Sequence, residues 1–247
     1  MTGGQSLEIS ELSKDELLRL MGMFFGHVFV HYGMWFTETL RREGIEKALE
    51  LESQVLMNYF PIVLKRLSPH FGIEMDGDVP VVLSNKAKED ILSIIRDLAK
   101  TWVTGDGLWF QAIEHTTGIH QAKQINDTCW SHFANLEAHK ILHFLKMPQG
   151  GGLNALERSL ELRMYSTINA HRALWEPDGS LLFTMAECRV QKSRRRKNMD
   201  DYACKSAGLV EYSEFAHGVD RRIQTQCVYC PPDPMTPEEF CSWRFRI

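Results

Sequence analysis

The sequence predicts an α+β protein, with an internally duplicated helical N-terminal part packed with a small antiparallel β, cysteine-rich C-terminal module. Three observations predict it. Gly33-Met34-Trp35-Phe36 recurs 74 residues later as Gly107-Leu108-Trp109-Phe110. Runs of strand-forming residues are confined to the stretch after Leu181. Five of the six cysteines lie in the last 60 residues.

Taken in order, Ser13 and Glu16 form an S-x-x-E capping box ahead of Leu17, Leu18, Leu20 and Met21. A long helix should therefore begin near Ser13 and run toward Arg42. Gly44 interrupts it, and a second helix covers about residues 45–67, bent or broken at Pro61. Residues 68–80 read as a loop, and helix resumes over about 84–101. Gly44-Ile45 and Gly118-Ile119 each fall eleven positions after the glycine of their Trp-Phe unit. Ala48 and Ala122 keep the same offset, so a duplicated helix–glycine–helix unit is the natural reading. Trp35 and Trp109 are expected to anchor the cores of the two copies, with Trp109 also a candidate substrate contact.

Gln149-Gly150-Gly151-Gly152 reads as a flexible joint. It divides a helical domain, 1–147, from a cysteine module, 153–247. A helix over about 153–167 opens the module, and a turn follows at Glu176-Pro177-Asp178-Gly179. Strands then fit residues 181–190, 223–229 and 243–247.

The net charge is −4 and the sequence pI near 6.2, which excludes a global electrostatic case for nucleic acid or an acidic membrane surface. Leu20–Thr37 carries no formal charge, yet it holds two histidines and three glycines, so a buried or ligand-lining helix fits it better than a membrane span. The polar start, residues 1–6, lacks the pattern of a secretory leader, and a cytoplasmic location is expected. A small-molecule partner and a homo-oligomer are compatible with this composition.

Clustered cysteines in such a chain argue for metal or thiol chemistry over disulfides. Cys227 and Cys230 form a C-x-x-C pair that could bring two thiolates to one zinc ion, with Cys204 and Cys241 completing four ligands. Zinc is structural if all four bind and catalytic if one position stays open. Buried, unliganded thiols are the plainer alternative. Cys129 reads as a small core residue. Cys188 stands beside Arg194-Arg195-Arg196-Lys197, whose charge would lower a thiol pKa. It is a candidate nucleophile, substrate contact or alternative ligand.

The segments Cys188-Arg189-Val190-Gln191, Asp220-Arg221-Arg222-Ile223, Cys227-Val228-Tyr229-Cys230-Pro231-Pro232-Asp233 and Cys241-Ser242-Trp243-Arg244-Phe245 resemble an uncharacterised prokaryotic family. That family is distantly similar to the L-2-amino-thiazoline-4-carboxylate hydrolases and to vinyl-reductase-type ligand-binding modules. The resemblance spans roughly residues 100–247 and implies a pocket between helices and sheet with cysteines close by.

His27 and His31, and likewise His139 and His143, share helix faces at i,i+4 spacing, and structural roles suit both pairs. Asp106 reads as a turn or cap residue. The chain contains no H-E-x-x-H, G-x-S-x-G, Walker or G-x-G-x-x-G pattern. The expected function is a metal- or thiol-dependent hydrolase or lyase acting on a small nitrogen- or sulfur-containing metabolite. Cys188 is its nucleophile, Asp220 a proton acceptor, and Arg189 and Gln191 substrate contacts. The rival expectation is a non-catalytic, zinc-stabilised ligand sensor, and a third is an iron or haem protein using His27 and His31.

Overall fold

The computed structural model describes residues 9–234 and 239–247. The polar N-terminal residues discussed above lie outside this range. The architecture is α+β, and the chain divides into two compact units, residues 1–72 and 73–247. This division differs from the one expected at the Gln149–Gly152 joint. There the backbone is fixed: Gly150 N–H donates to Val219 O, Gln149 Nε2 to Gly218 O and Gly152 N–H to Asp220 Oδ2, at 2.9–3.1 Å. Three hydrogen bonds to the end of one helix tie the glycine-rich stretch into the second unit.

The first unit is built on helix α1 (Lys14–Leu67), which starts at the predicted capping box. Ser13 accepts the Glu16 N–H, and Glu16 accepts the Ser13 N–H. Gly44 breaks the helix with φ 82° and ψ 170°, a backbone state essentially reserved for glycine. The two arms fold back on each other, so that Tyr32 Oη donates to Glu52 Oε1 at 3.1 Å and stacks on Tyr59.

The second unit opens with a minimal hairpin, β1 (Met75–Asp76) and β2 (Val79–Pro80), and a single turn, α2 (Val81–Ser84). Helices α3 (Lys88–Thr117) and α4 (Ile119–Leu145) follow. They meet at Gly118, whose φ 91° and ψ 162° repeat the break at Gly44. Lys14 and Lys88, the first residues of the two copies, are also 74 apart. The repeat read from the sequence is thus a repeat of helix start and of backbone break.

Helix α5 (Gly152–Leu160) precedes a four-stranded antiparallel sheet in the order β3-β4-β6-β5. Its strands are β3 (Ala170–Trp175), β4 (Leu181–Glu187), β5 (Gln224–Tyr229) and β6 (Cys241–Arg246). Two helices interrupt the strands, α6 (Arg189–Arg196) and α7 (Lys205–Val219). The core is sandwiched between α4, α5 and α7 on one side and β4 and β6 on the other, with Leu156, Leu160, Phe183, Phe215, Trp243 and Phe245 fully buried. Close approach of these layers depends on small residues. A Cβ on Gly208 would stand 2.6 Å from Trp243 Cζ2, and one on Gly218 2.7 Å from Ala138 Cβ.

Several sequence expectations are corrected here. Trp35 and Trp109 are 67% and 72% exposed and anchor no core. The anchoring aromatics of the second copy are Trp102 and Trp130, which pack with Phe133 and Tyr165. Asp106 lies mid-way along α3 and caps nothing. Cys129 is exposed on α4. None of the described helices is long and apolar enough to cross a membrane.

Candidate functional site

Within the second unit, α3, α4, α6 and α7 enclose a cavity of about 370 Å³ against β4 and β6. At about 100° per residue, Asp106, Gly107 and Phe110 of α3 share the face turned to this cavity. Trp109 falls on the far side of the same helix, so it is not the substrate contact expected of it. Trp130, Tyr165, Tyr202 and Tyr212 supply most of the aromatic wall. The indole N–H of Trp243, itself fully buried beside the cavity, has no hydrogen-bond partner among the described residues.

Four cysteines line the cavity: Cys188, Cys204, Cys230 and Cys241. Cys227, expected among the metal ligands, does not. Strand β5 runs through Tyr229 with a register shift against β6 between Cys227 and Tyr229, and of the C-x-x-C pair only Cys230 lines the cavity. Among the described residues, no group of three or more His, Cys, Asp or Glu is disposed to hold a metal ion. Cys227 is thus set apart from the other three expected ligands, Cys204, Cys230 and Cys241, which line the cavity together. Cys230 lies between Cys204 and Cys241, and its hydrogen-bonded thiol holds its proton firmly.

The thiols differ sharply. Cys188 was expected to ionise readily beside the arginine run. Burial instead pushes it up to about 12, with Cys204 and Cys241 adding to the shift. The arginines are engaged elsewhere, with Arg195 paired to Asp201 and Arg194 Nε donating to Asp200 O. Cys204 goes the other way. It sits at the N-cap of α7, and the Cys230 thiol hydrogen bond lowers its pKa, helped by Lys123 and by Gln191 Nε2 at 3.0 Å. Lys123 is held in place through its Nζ bond to Ala203 O at 2.6 Å.

Gln191, expected to touch substrate, is buried with its amide fully used. Nε2 donates to Tyr202 O and to Cys204 Sγ, and Oε1 accepts the Tyr202 N–H. Its role is to position Cys204. Arg189 does line the cavity, at the start of α6, where its backbone N–H donates to Asn169 Oδ1. Asp220 lies outside the cavity, gripped by Arg222 and the Gly152 N–H, and these bonds hold its carboxyl far below the usual range. So weak a base is a structural clamp for the Gly150–Gly152 segment rather than a proton acceptor.

The carboxyl groups suited to proton transfer are others. Burial raises Asp106 to about 6. Glu211, on α7, is raised to about 7 by burial and by the neighbouring Glu137, although Arg163 opposes the shift. Arg163 is itself buried between the two glutamates, 2.7 Å from each. One guanidinium facing two buried carboxylates leaves an excess negative charge, which Glu211 relieves by keeping a proton. The Tyr165 hydroxyl lies in the combined field of Glu211, Asp106, Cys188 and Cys204, which all raise its pKa. Burial is the largest cause of that rise, and all four groups line the cavity.

The sequence carried a signal for Cys204 only through its cysteine count. It carried none for Glu211 or Arg163, whose importance depends on burial and mutual contact. His27 and His31 lie on α1 of the first unit with exposed rings, His31 packed against Trp35.

None of the curated proteins and none of the solved structures compared with this chain matches it. A family model does match, over residues 84–247, which takes in every cavity-lining residue named above. A match over so much of the chain makes it a member of the family of unknown function DUF6125.

Proposed function

We propose that this protein is a thiol-dependent hydrolase or lyase for a small, planar, nitrogen- or sulfur-containing metabolite, bound in the cavity of the second unit. One observation carries the reading. A cavity-lining thiol whose pKa hydrogen bonds lower, Cys204, shares its space with two carboxyl groups that burial raises to about 6 and about 7, Asp106 and Glu211. The resemblance to thiazoline-carboxylate hydrolases points to the same class of substrate. Aromatic walls suit a planar ring, and the unpaired Trp243 N–H suits an acceptor atom on it.

In this reading the Cys204 thiolate adds to the electrophilic carbon of a C=N group that also bears a nitrogen or sulfur substituent, and re-forming the C=N bond expels that substituent. Glu211, protonated up to about pH 7, gives its proton to the departing nitrogen or sulfur. Asp106, ionised above about 6, then takes a proton from the water that attacks the thiol-bound carbon, and Cys204 is released. Arg189 at the cavity wall attracts an anionic substituent.

The test is turnover on a panel of small cyclic amidines and thioimidates, starting with 2-aminothiazoline-4-carboxylate, followed by release of free thiol or amine. Cys204→Ser should abolish turnover, and Cys188→Ser should leave it within a few-fold of the parent. Asp106→Asn should remove the acidic limb of a rate profile that peaks between about pH 6 and 7. Stabilisation by the panel compounds with no turnover would instead mark a binding module. Stoichiometric zinc in protein purified without added metal would return the metal-dependent reading.

A further inference from the structure

The first unit presents a feature that the site in the second unit does not use. Along the N-terminal arm of α1, residues 14–43, one stripe of side chains runs Leu20, Met23, His27, Val30, Met34 and Thr37. The intervals alternate three and four, which is the spacing of a helix seam made to pack lengthwise against another helix. The stripe lies on the opposite side of the helix from Tyr32, which bonds Glu52 of the second arm, while its His27, Val30 and Met34 rim a shallow groove shared with Val55 and Tyr59 of that arm. It is open to solvent: Met23 is 48% exposed, Val30 54% and Met34 62%.

The charges of this arm follow a pattern of their own. The uncharged stretch Leu20–Thr37 is centred between Val28 and Phe29, and so is the arm itself. Folding the arm about that centre sets Glu16 level with Arg41, Arg19 with Glu38, Asp15 with Arg42 and Lys14 with Glu43. These are all the formally charged residues of residues 14–43, and each falls level with one of opposite sign. The seam obeys the same symmetry, with Met23 level with Met34, His27 with Val30 and Leu20 with Thr37. Glu16 and Arg41 lie on the seam's own side of the helix. Glu38 also holds Arg41 and Arg42 along the helix surface, and a helix cannot pack against itself to use the mirror symmetry. A second copy running antiparallel can.

We propose that the N-terminal arm of α1 is a self-association surface, pairing two copies of this chain as an antiparallel, two-fold-symmetric helix seam centred between Val28 and Phe29. Two further features agree with it. The arm extends about 45 Å, at 1.5 Å per residue, long enough for the seam and its flanks to approach the roughly 800 Å² per partner of a standard interface. Gly22, Gly26 and Gly33, which weaken a helix interior, each have open space where a Cβ would stand. They leave grooves beside the seam for large side chains of a partner.

The experiment measures the mass of the full chain in solution by light scattering and sedimentation over a range of concentrations. The parent protein should be a dimer at micromolar concentration. Met23→Glu with Met34→Glu places like charges level with each other and should weaken association at least ~100-fold while the helical circular dichroism is kept. Met23→Glu with Met34→Lys places opposite charges level in the antiparallel register only, and should restore the dimer. A monomeric parent protein overturns the proposal, as does a dimer that survives the paired glutamates. Failure of the Glu/Lys pair to restore association overturns the antiparallel register. Because these substitutions lie outside the cavity, turnover by the second unit is read separately.

Discussion

At the scale of single residues, the site is governed by how few counter-charges its buried acids have. Arg163 serves both Glu137 and Glu211, so the second carboxyl ionises only near neutrality. Glu211 holds its proton to about pH 7 in the folded chain, against an ordinary value of 4.5 when exposed. Between these values the folded state binds the extra proton. The stability owed to this group is therefore complete below about pH 4.5 and is lost as pH rises through 7. The loss is on the order of 3 kcal/mol. Thermal melts of the parent protein and Glu211→Gln should diverge across this window, with the parent losing stability from pH 5 to pH 8 and the variant much less. Parallel curves would mean that Glu211 titrates as an ordinary glutamate. The reversal between Cys188 and Cys204 has the same kind of origin. Cys188 has cations near it in sequence, but buried thiols are its neighbours in space.

At the scale of elements, the repeat is organised around two glycines. Gly44 and Gly118 share a backbone conformation with positive φ and extended ψ, which reverses the chain between two helices in a single residue. A Cβ at either position is strained whatever the surrounding space, at a cost of about 1–3 kcal/mol. Gly118→Ala should lower the melting temperature by several degrees and also reduce turnover, because α3 and α4 both contribute cavity wall. Gly44→Ala should lower stability without a matching loss of turnover, since α1 contributes none of that wall. Equal effects on turnover would show that the units do not act separately. The spacing of Gly44-Ile45 and Gly118-Ile119 was readable in the sequence because the constraint is local: only glycine serves there.

At the scale of the whole molecule, the principal core lies within residues 134–245, entirely inside the second unit. A chain truncated to residues 73–247 should therefore fold cooperatively and keep the cavity. One sharp thermal transition and retained binding of panel compounds are the expected results, and loss of cooperative unfolding would show that the first unit is needed for the core. The α+β class, the duplication, the capping box at Ser13 and a turn near Asp178 were all legible in the sequence, whereas strand β3 ahead of that turn was not. Each rests on periodicity, propensity or a backbone requirement that neighbouring residues impose. The division of the chain was not. Gln149–Gly152 has the composition of a linker, but the end of α7 holds its backbone in place, and that helix lies some 70 residues away.

The sequence by itself determined the class of the fold, the two-fold repeat and the concentration of thiols in the last quarter of the chain. Only the tertiary structure decided which thiol has its pKa lowered, which carboxyl groups have theirs raised, and that Trp109, Cys227 and Asp220 stand outside the cavity. The reason is physical. Helix starts and backbone breaks depend on residues a few positions apart, whereas pKa values and cavity walls depend on burial and on charges brought together from distant segments.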